Sequence, residues 1–310
     1  MPDIVITEFM DEAAVEGLKE RFDVDYDPKL VEAPDAIIAR TGDARAIIVR
    51  NRTQVTADLL ARCPGLRCVG RLGVGLDNID LEACRERDVA VLPATGANDD
   101  AVAEYVIAGA MILLRGAYHA TARVADGEWP RQELSGDETA GKTLGLIGFG
   151  SIARQTASRA RALGMTVLAH DPFVAADDAA WGELAECRED LQGLLADSDV
   201  VSLHVPLTDA TRHLVDADAI ARMRRGAFLI NAARGGVVDE PALAAALHDG
   251  RLGGAMLDVF EDEPLKAGSV LAGVPNLILT PHIAGVTRES NVRVSKLTAE
   301  NVRRVLEEQA

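Results

Sequence analysis

The apolar run Leu144-Gly145-Leu146-Ile147 ends in Gly148-Phe149-Gly150-Ser151-Ile152-Ala153, after which the residues turn helical. A buried strand that passes through a tight glycine turn into a helix opens a parallel α/β sheet, and few other architectures accommodate it. Gly148 permits the turn, and Gly150 lets the backbone approach a pyrophosphate. Ala153 stands where a third glycine would govern helix–strand packing. The helix expected from Ser151 to Leu163 points its N-terminus at that anion, and Gly164 closes it. The next strand-like run, MTVLAH, ends at Asp171, where a carboxylate would bond ribose hydroxyls. Pro172 and Phe173 follow, with no Arg or Lys to receive a 2′-phosphate, so NAD is favoured over NADP.

The same alternation organises the rest of the chain. Strand-like runs DIVITE, AIIVR (46–50), RCVGRL (67–72) and VAVLP (89–93) are separated by helical stretches. Thr56 is a candidate cap for one of these, TADLLARC. A long helix is expected from about Asp99 to Asp126, opened by Asn98, Asp99 and Asp100. Its stretch AEYVIAGAMILL is apolar all round and must be buried on more than one side. Six further runs follow: TLGLIGFG, MTVLAHD, DVVSLHV, AFLINAA, GAMLDVF and NLILT. The final segment, ESNVRVSKLTAENVRRVLEEQA, is an amphipathic helix with no strand behind it. The economical organisation is two domains, residues 1–97 plus 286–310 and residues 98–285.

With 310 residues the chain is long enough for two cores. Forty-nine Asp and Glu against 32 Lys and Arg leave a formal charge of −17, and only five of the cations are lysine. Such a surface repels nucleic acid and anionic membranes, so neither is expected as a partner. It suits a salty cytosol, although acidic coats also occur in mesophilic enzymes. Cys63, Cys68, Cys84 and Cys187 lack metal or redox spacing and read as reduced structural thiols. The N-terminus MPDIVITEFMDE has no signal-peptide pattern, and the longest apolar stretch, Tyr105 to Leu114, is too short to span a bilayer. A soluble cytoplasmic protein without a metal is expected.

Three polar residues sit just beyond apolar runs: Arg234 in NAARGG, Glu263 in DVFEDEP and His282 in TPHIAG. Strand ends of this kind form the ligand-binding edge of an open α/β sheet. A cation, a carboxylate and an imidazole there make a proton-transfer site able to polarise a carbonyl. Gly73-Val74-Gly75 offers backbone N–H groups to a carboxylate. Arg50, Arg52 and Arg71 lie at or just past neighbouring strand ends, where they would focus an anionic ligand.

Taken together, VRNRTQVTADLL, GRLGVGLDNID, GFGSIAR, HVPLTDATRHLV, INAARGGVVDE, LDVFEDEPL and TPHIAG resemble the D-2-hydroxyacid dehydrogenases, in the D-3-phosphoglycerate-dehydrogenase-like branch. The resemblance extends over nearly the whole chain. It implies two Rossmann/flavodoxin-like parallel-sheet domains with the active site in the cleft between them, and a homodimer formed through the long helix after Asn98. His282 would be the acid/base, an imidazole being titratable near ~6.5. Glu263 would favour the imidazolium and fix its tautomer. Arg234 would bind the substrate carboxylate and polarise the carbonyl, and Asp258 would hold the nicotinamide carboxamide. Cofactor contacts are further implied at Gly148, Gly150, Ser151, Ile152, Asp171, Pro206, Thr211, Ala232, Arg234, His282 and Gly285. Substrate contacts are implied at Arg50, Arg52, Arg71, Gly73, Val74, Gly75, Arg234 and His282.

In phosphoglycerate dehydrogenases the positions matching Arg50 and Arg71 contact the phosphate, whereas the position of Arg52 is usually small. The extra cation points to a different anionic tail. A D-configured 2-hydroxy acid with a second anion is therefore expected, with (S)-3-sulfolactate, oxidised to 3-sulfopyruvate, as the first choice. The alternatives are 3-phosphoglycerate and reduction of hydroxypyruvate or glyoxylate. A non-catalytic NAD-binding scaffold, as among corepressors of the same family, is the remote alternative.

Overall fold

The computed structural model describes residues 2–308, which divide into two compact units, residues 2–98 with 286–308, and residues 99–285.

The first unit is a five-stranded, wholly parallel sheet in the order β2-β1-β3-β4-β5. In chain order its elements are β1 (Ile4–Ile6), α1 (Glu12–Lys19), β2 (Val24–Tyr26), α2 (Pro34–Thr41), β3 (Ala46–Val49), α3 (Ala57–Arg62), β4 (Cys68–Arg71), α4 (Leu81–Glu86) and β5 (Ala90–Pro93). Four runs were expected here, and the structure has five strands. The missed one, β2, is a three-residue edge strand, Val-Asp-Tyr, that is only half-buried and so lacks an apolar signature. Side chains alternate between the faces of each strand. Val5, Ile47, Val49 and Val69 pack in one apolar layer, and Ile4, Ile6, Ile48 and Cys68 in the other. Thr56 caps α3, its hydroxyl accepting from Leu59 N–H at 3.3 Å. Pro93, which cannot donate to a ladder, sits on edge strand β5.

The second unit opens with α5 (Asp99–Arg115) and α6 (Thr121–Ala125). This corrects the expectation of one helix to Asp126. Gly116 takes φ +63°, outside the helical region, and the helical segment Tyr118–Ala125, which contains α6, is bent by 70° from α5. No single helix among the described residues is long and apolar enough to cross a membrane. There follow β6 (Thr143–Ile147), α7 (Ser151–Ala162), β7 (Thr166–His170), β8 (Glu186–Cys187), α8 (Leu191–Asp197), β9 (Val200–Leu203), α9 (Ala217–Arg222), β10 (Phe228–Asn231), α10 (Glu240–His248), β11 (Gly254–Leu257) and β12 (Leu277–Leu279). They form one parallel sheet of seven strands in the order β12-β11-β10-β9-β6-β7-β8. Six were expected; the seventh, β8, is a two-residue edge strand too short to carry a pattern. Leu229 and Ile230, adjacent on β10, enter opposite cores, so both faces of the sheet are covered.

The last helix, α11 (Arg288–Glu308), packs with the first unit. Thr298 Oγ1 donates to the Arg71 carbonyl at 3.2 Å, and the Leu306 carbonyl accepts from Arg45 at 2.8 Å. Val294, Val302 and Leu306 complete the core that Ile4 and Ile48 begin. Cys63, Cys68, Cys84 and Cys187 are free thiols, each pushed up by burial, Cys68 to about 12.

Candidate active site

In the second unit the polar residues picked out by sequence follow the carboxyl ends of parallel strands, and the strand order arranges them. Gly148 follows β6 and Asp171 follows β7, its neighbour. Arg234, Asp258 with Glu263, and His282 follow β10, β11 and β12, which are consecutive in the sheet.

The glycine turn lies where the strand order reverses, between β6 and β9, the place where open α/β sheets bind ligands. Gly148 is at φ +91°, and a Cβ there would come within 2.6 Å of the His204 carbonyl oxygen at the end of β9. Gly150 precedes α7 without a side-chain cap, and a Cβ built on it meets nothing within 4 Å. The start of α7 thus has no side-chain cap and the Gly150 Cβ position is open, as close approach of a pyrophosphate requires. Ser151 is exposed, Ile152 half-buried, and Ala153 fully buried against the sheet. Asp171 Oδ2 accepts from Phe149 N–H at 2.8 Å and Oδ1 from Phe173 N–H at 3.0 Å. Its carboxylate is thus tied to the turn. These residues fit the diphosphate and ribose of a dinucleotide. Thr211 Oγ1 donates to the Pro206 carbonyl at 2.6 Å, closing the loop after β9. Ala232 directly follows β10, and Gly285 ends the unit.

His282 Nδ1 lies 2.7 Å from Glu263 Oε2. Burial alone would raise the Glu263 carboxyl. The His282 hydrogen bond and charge, the Phe260 N–H and the Arg234 charge outweigh it and hold the group below the usual carboxylate range. Cation, carboxylate and imidazole are therefore one electrostatic group.

Buried polar residues hold each of the three loops. Asn231, 1% exposed, donates from Nδ2 to the Arg234 carbonyl at 2.9 Å and accepts from Ala233 N–H at 3.0 Å. Glu240, the first residue of α10, accepts from Glu261 N–H at 2.8 Å, with burial raising its carboxyl. Asp258, also 1% exposed, accepts from Thr280 Oγ1, Ile283 N–H and Ala284 N–H at 2.6, 2.8 and 2.7 Å. Gly235 brings the Arg234 and Glu263 loops together, since a Cβ on it would run into the Phe260 carbonyl. Sequence reasoning gave no role to Asn231, Gly235, Glu240 or Thr280, although all four lie inside the motifs INAARGGVVDE and TPHIAG.

In the first unit, Arg71 on β4 is in register with Val49 on β3, so Arg50 and Arg71 lie at the same end of neighbouring strands. The Arg71 guanidinium lies over Gly73, which takes φ +145°, and Gly73-Val74-Gly75 continues the turn. Half-buried Arg50 donates to Asn291 Oδ1 of α11 at 2.7 Å. Burial lowers its guanidinium from the ordinary value, and the Glu8 charge offsets part of that. Arg52 is exposed. Glu8, 4% exposed, gathers the whole loop: its oxygens accept from the N–H groups of Arg50, Thr53 and Arg52 at 2.9, 3.0 and 3.2 Å. Asn78 Nδ2 secures the same loop through the Thr53 carbonyl at 2.6 Å. Neither Glu8 nor Asn78 was anticipated.

The family model described as D-isomer specific 2-hydroxyacid dehydrogenase, NAD binding domain, matches residues 107–284. The chain is 62% identical over 306 residues to an (S)-sulfolactate dehydrogenase of Chromohalobacter salexigens, covering 99% of both chains. It is 37% identical to a D-3-phosphoglycerate dehydrogenase of Methanocaldococcus jannaschii, covering 99% of this chain but 58% of that longer one. Among solved structures, a glyoxylate reductase from Paecilomyes thermophila matches with a TM-score of 0.87 at 30% identity, over 99% of this chain and 95% of the other.

Proposed function

Because the chain belongs to the D-isomer specific 2-hydroxyacid dehydrogenase family, we propose that it interconverts (S)-3-sulfolactate and 3-sulfopyruvate with NAD. The identity of 62% across nearly the full length of a sulfolactate dehydrogenase supports the substrate, as does the extra cation Arg52. The observation that carries the chemistry is the 2.7 Å pair of His282 and Glu263.

Gly148, Gly150, Ser151 and Ile152 would hold the pyrophosphate and Asp171 the adenosine ribose. Pro206, Thr211, Ala232, Asp258 and Gly285 would line the rest of the dinucleotide. Bound NAD supplies the acceptor for the hydride leaving C2. His282 takes the hydroxyl proton on Nε2 as the C2–O bond becomes a carbonyl, and returns it in the reverse direction. Glu263 stabilises the imidazolium so formed. Arg234 forks onto the substrate carboxylate and the developing carbonyl oxygen. Gly73, Val74 and Gly75 add backbone donors to the carboxylate, and Arg50, Arg52 and Arg71 take the sulfonate.

The protein works as a cytoplasmic homodimer. Met111, Tyr118, Val124 and Trp129, on and just after α5, are exposed apolar side chains that a second copy would cover. Light scattering on the wild type and a Trp129→Glu variant tests this.

The deciding experiment follows NADH formation on sulfolactate, 3-phosphoglycerate and uncharged 2-hydroxy acids, with NAD and NADP, in wild type, Arg52→Ala and Asp171→Ala. Sulfolactate with NAD should give the highest kcat/KM, Arg52→Ala should lose that preference, and Asp171→Ala should gain NADP use. Turnover of phosphoglycerate with none of sulfolactate would overturn the reading.

A further inference from the structure

Asp258 encloses His282 from both sides. Its carboxylate accepts from Thr280, two residues before the histidine, and from Ile283 and Ala284 after it. Its carbonyl accepts the His282 N–H itself at 2.8 Å. His282 is at φ +55°, a backbone region unfavourable for a residue with a Cβ, so the turn needs such support. Of about four acceptor sites on a carboxylate, three on Asp258 are already used within the protein.

The hydrogen-bond direction continues outward from there. Thr280 has one hydroxyl proton and gives it to Asp258 Oδ1. The 2.5 Å contact between Thr280 Oγ1 and the Tyr105 hydroxyl therefore has Tyr105 as donor. Tyr105 is suited to that: burial, with the Asp258 charge adding to it, outweighs the opposing Thr280 hydrogen bond and pushes its phenol up to about 12, so it keeps its proton. The phenol comes from α5, far from the catalytic loops in sequence, and reaches them only because α5 packs on the sheet.

We propose that Tyr105 and Thr280 are positioning residues for the acid/base. The chain Tyr105 hydroxyl, Thr280 hydroxyl, Asp258 carboxylate locks the 280–284 turn and with it the place of the His282 imidazole. Asp258 serves first as the anchor of that turn and only through its remaining acceptor site as a cofactor contact. This rests on His282 being the acid/base.

The test measures kcat, KM and NADH affinity by fluorescence quenching, together with Tm, in Tyr105→Phe, Thr280→Val, Thr280→Ser and His282→Ala. Loosening a reacting group by a fraction of an ångström lowers kcat on the order of tenfold. Tyr105→Phe and Thr280→Val are expected to show that loss at saturating substrate with NADH affinity within about twofold. Thr280→Ser, which keeps donor and acceptor, is expected to restore most of it. Unchanged kcat in folded Tyr105→Phe and Thr280→Val overturns the proposal, as does a defect confined to NADH affinity. Wild-type turnover in His282→Ala would instead overturn the reading of the site on which it rests.

Discussion

Glu263 Oε2 accepts from His282 Nδ1 at 2.7 Å. An ionised carboxylate can only accept, so the proton is on Nδ1, which leaves Nε2 for the proton transfer proposed above. The Glu263 carboxyl is depressed in the fold, although burial works against this. Its stabilising contribution is therefore complete above the unfolded carboxylate value near ~4.3 and fades as pH falls through the lower folded value. Glu263→Gln should lower kcat about tenfold to a hundredfold. Its melting temperature should depend less on pH at the acid end than that of the wild type. Parallel kcat and Tm profiles on acidification check both statements.

Gly235 lets the loop after β10 touch the Phe260 carbonyl. Gly235→Ala forces these loops apart and separates Arg234 from Glu263. The expected cost is about 2 kcal/mol or more, read as a fall in Tm, with a larger fall in kcat/KM than the lost folded fraction explains.

Glu8 holds the Arg50, Arg52 and Thr53 amides from beneath. Glu8→Gln keeps the shape but turns one acceptor into a donor facing N–H groups. About 2 kcal/mol of stability should go. KM for a substrate with an anionic tail should rise severalfold, while KM for D-lactate, which has no such tail, stays within twofold. Equal KM changes for both would contradict the proposed role of this loop in binding the tail.

Burial pushes the His204 imidazole down to about 4, and its Nε2 is 3.0 Å from Ser202 Oγ. The folded value lies below the unfolded one near ~6.5, so between them the unfolded chain binds more protons. Stability is lost as pH falls through that window, by on the order of 2 kcal/mol. His204→Asn should flatten the loss, as urea titrations across the window will reveal.

Much of the fold was legible because most strands are buried on both faces and read as unbroken apolar runs, such as IVI in β1 and GAML in β11. The edge strands β2 and β8 were not. Each is short and carries a charged residue, so Val-Asp-Tyr or Glu-Cys looks like any loop, whereas the edge strands β5 and β12 keep apolar runs. The helix expected to Asp126 failed for a related reason. Apolar residues continue past Gly116, and only the backbone conformation of that glycine ends α5.

The sequence by itself determined which polar residues follow the strands: the glycine turn before α7, Asp171 after β7, and Arg234, Glu263 and His282 after their apolar runs. Each is local, one side chain within a few residues of a recognisable strand. Only the tertiary structure decided how those groups are held. Placing β10, β11 and β12 side by side lets Asp258 reach the His282 turn, and packing α5 on the sheet brings Tyr105 to Thr280. Such contacts join residues distant in the chain through strand adjacency and helix packing. Their energy comes from burying polar groups with their partners, and that pairing exists only once the sheet has formed.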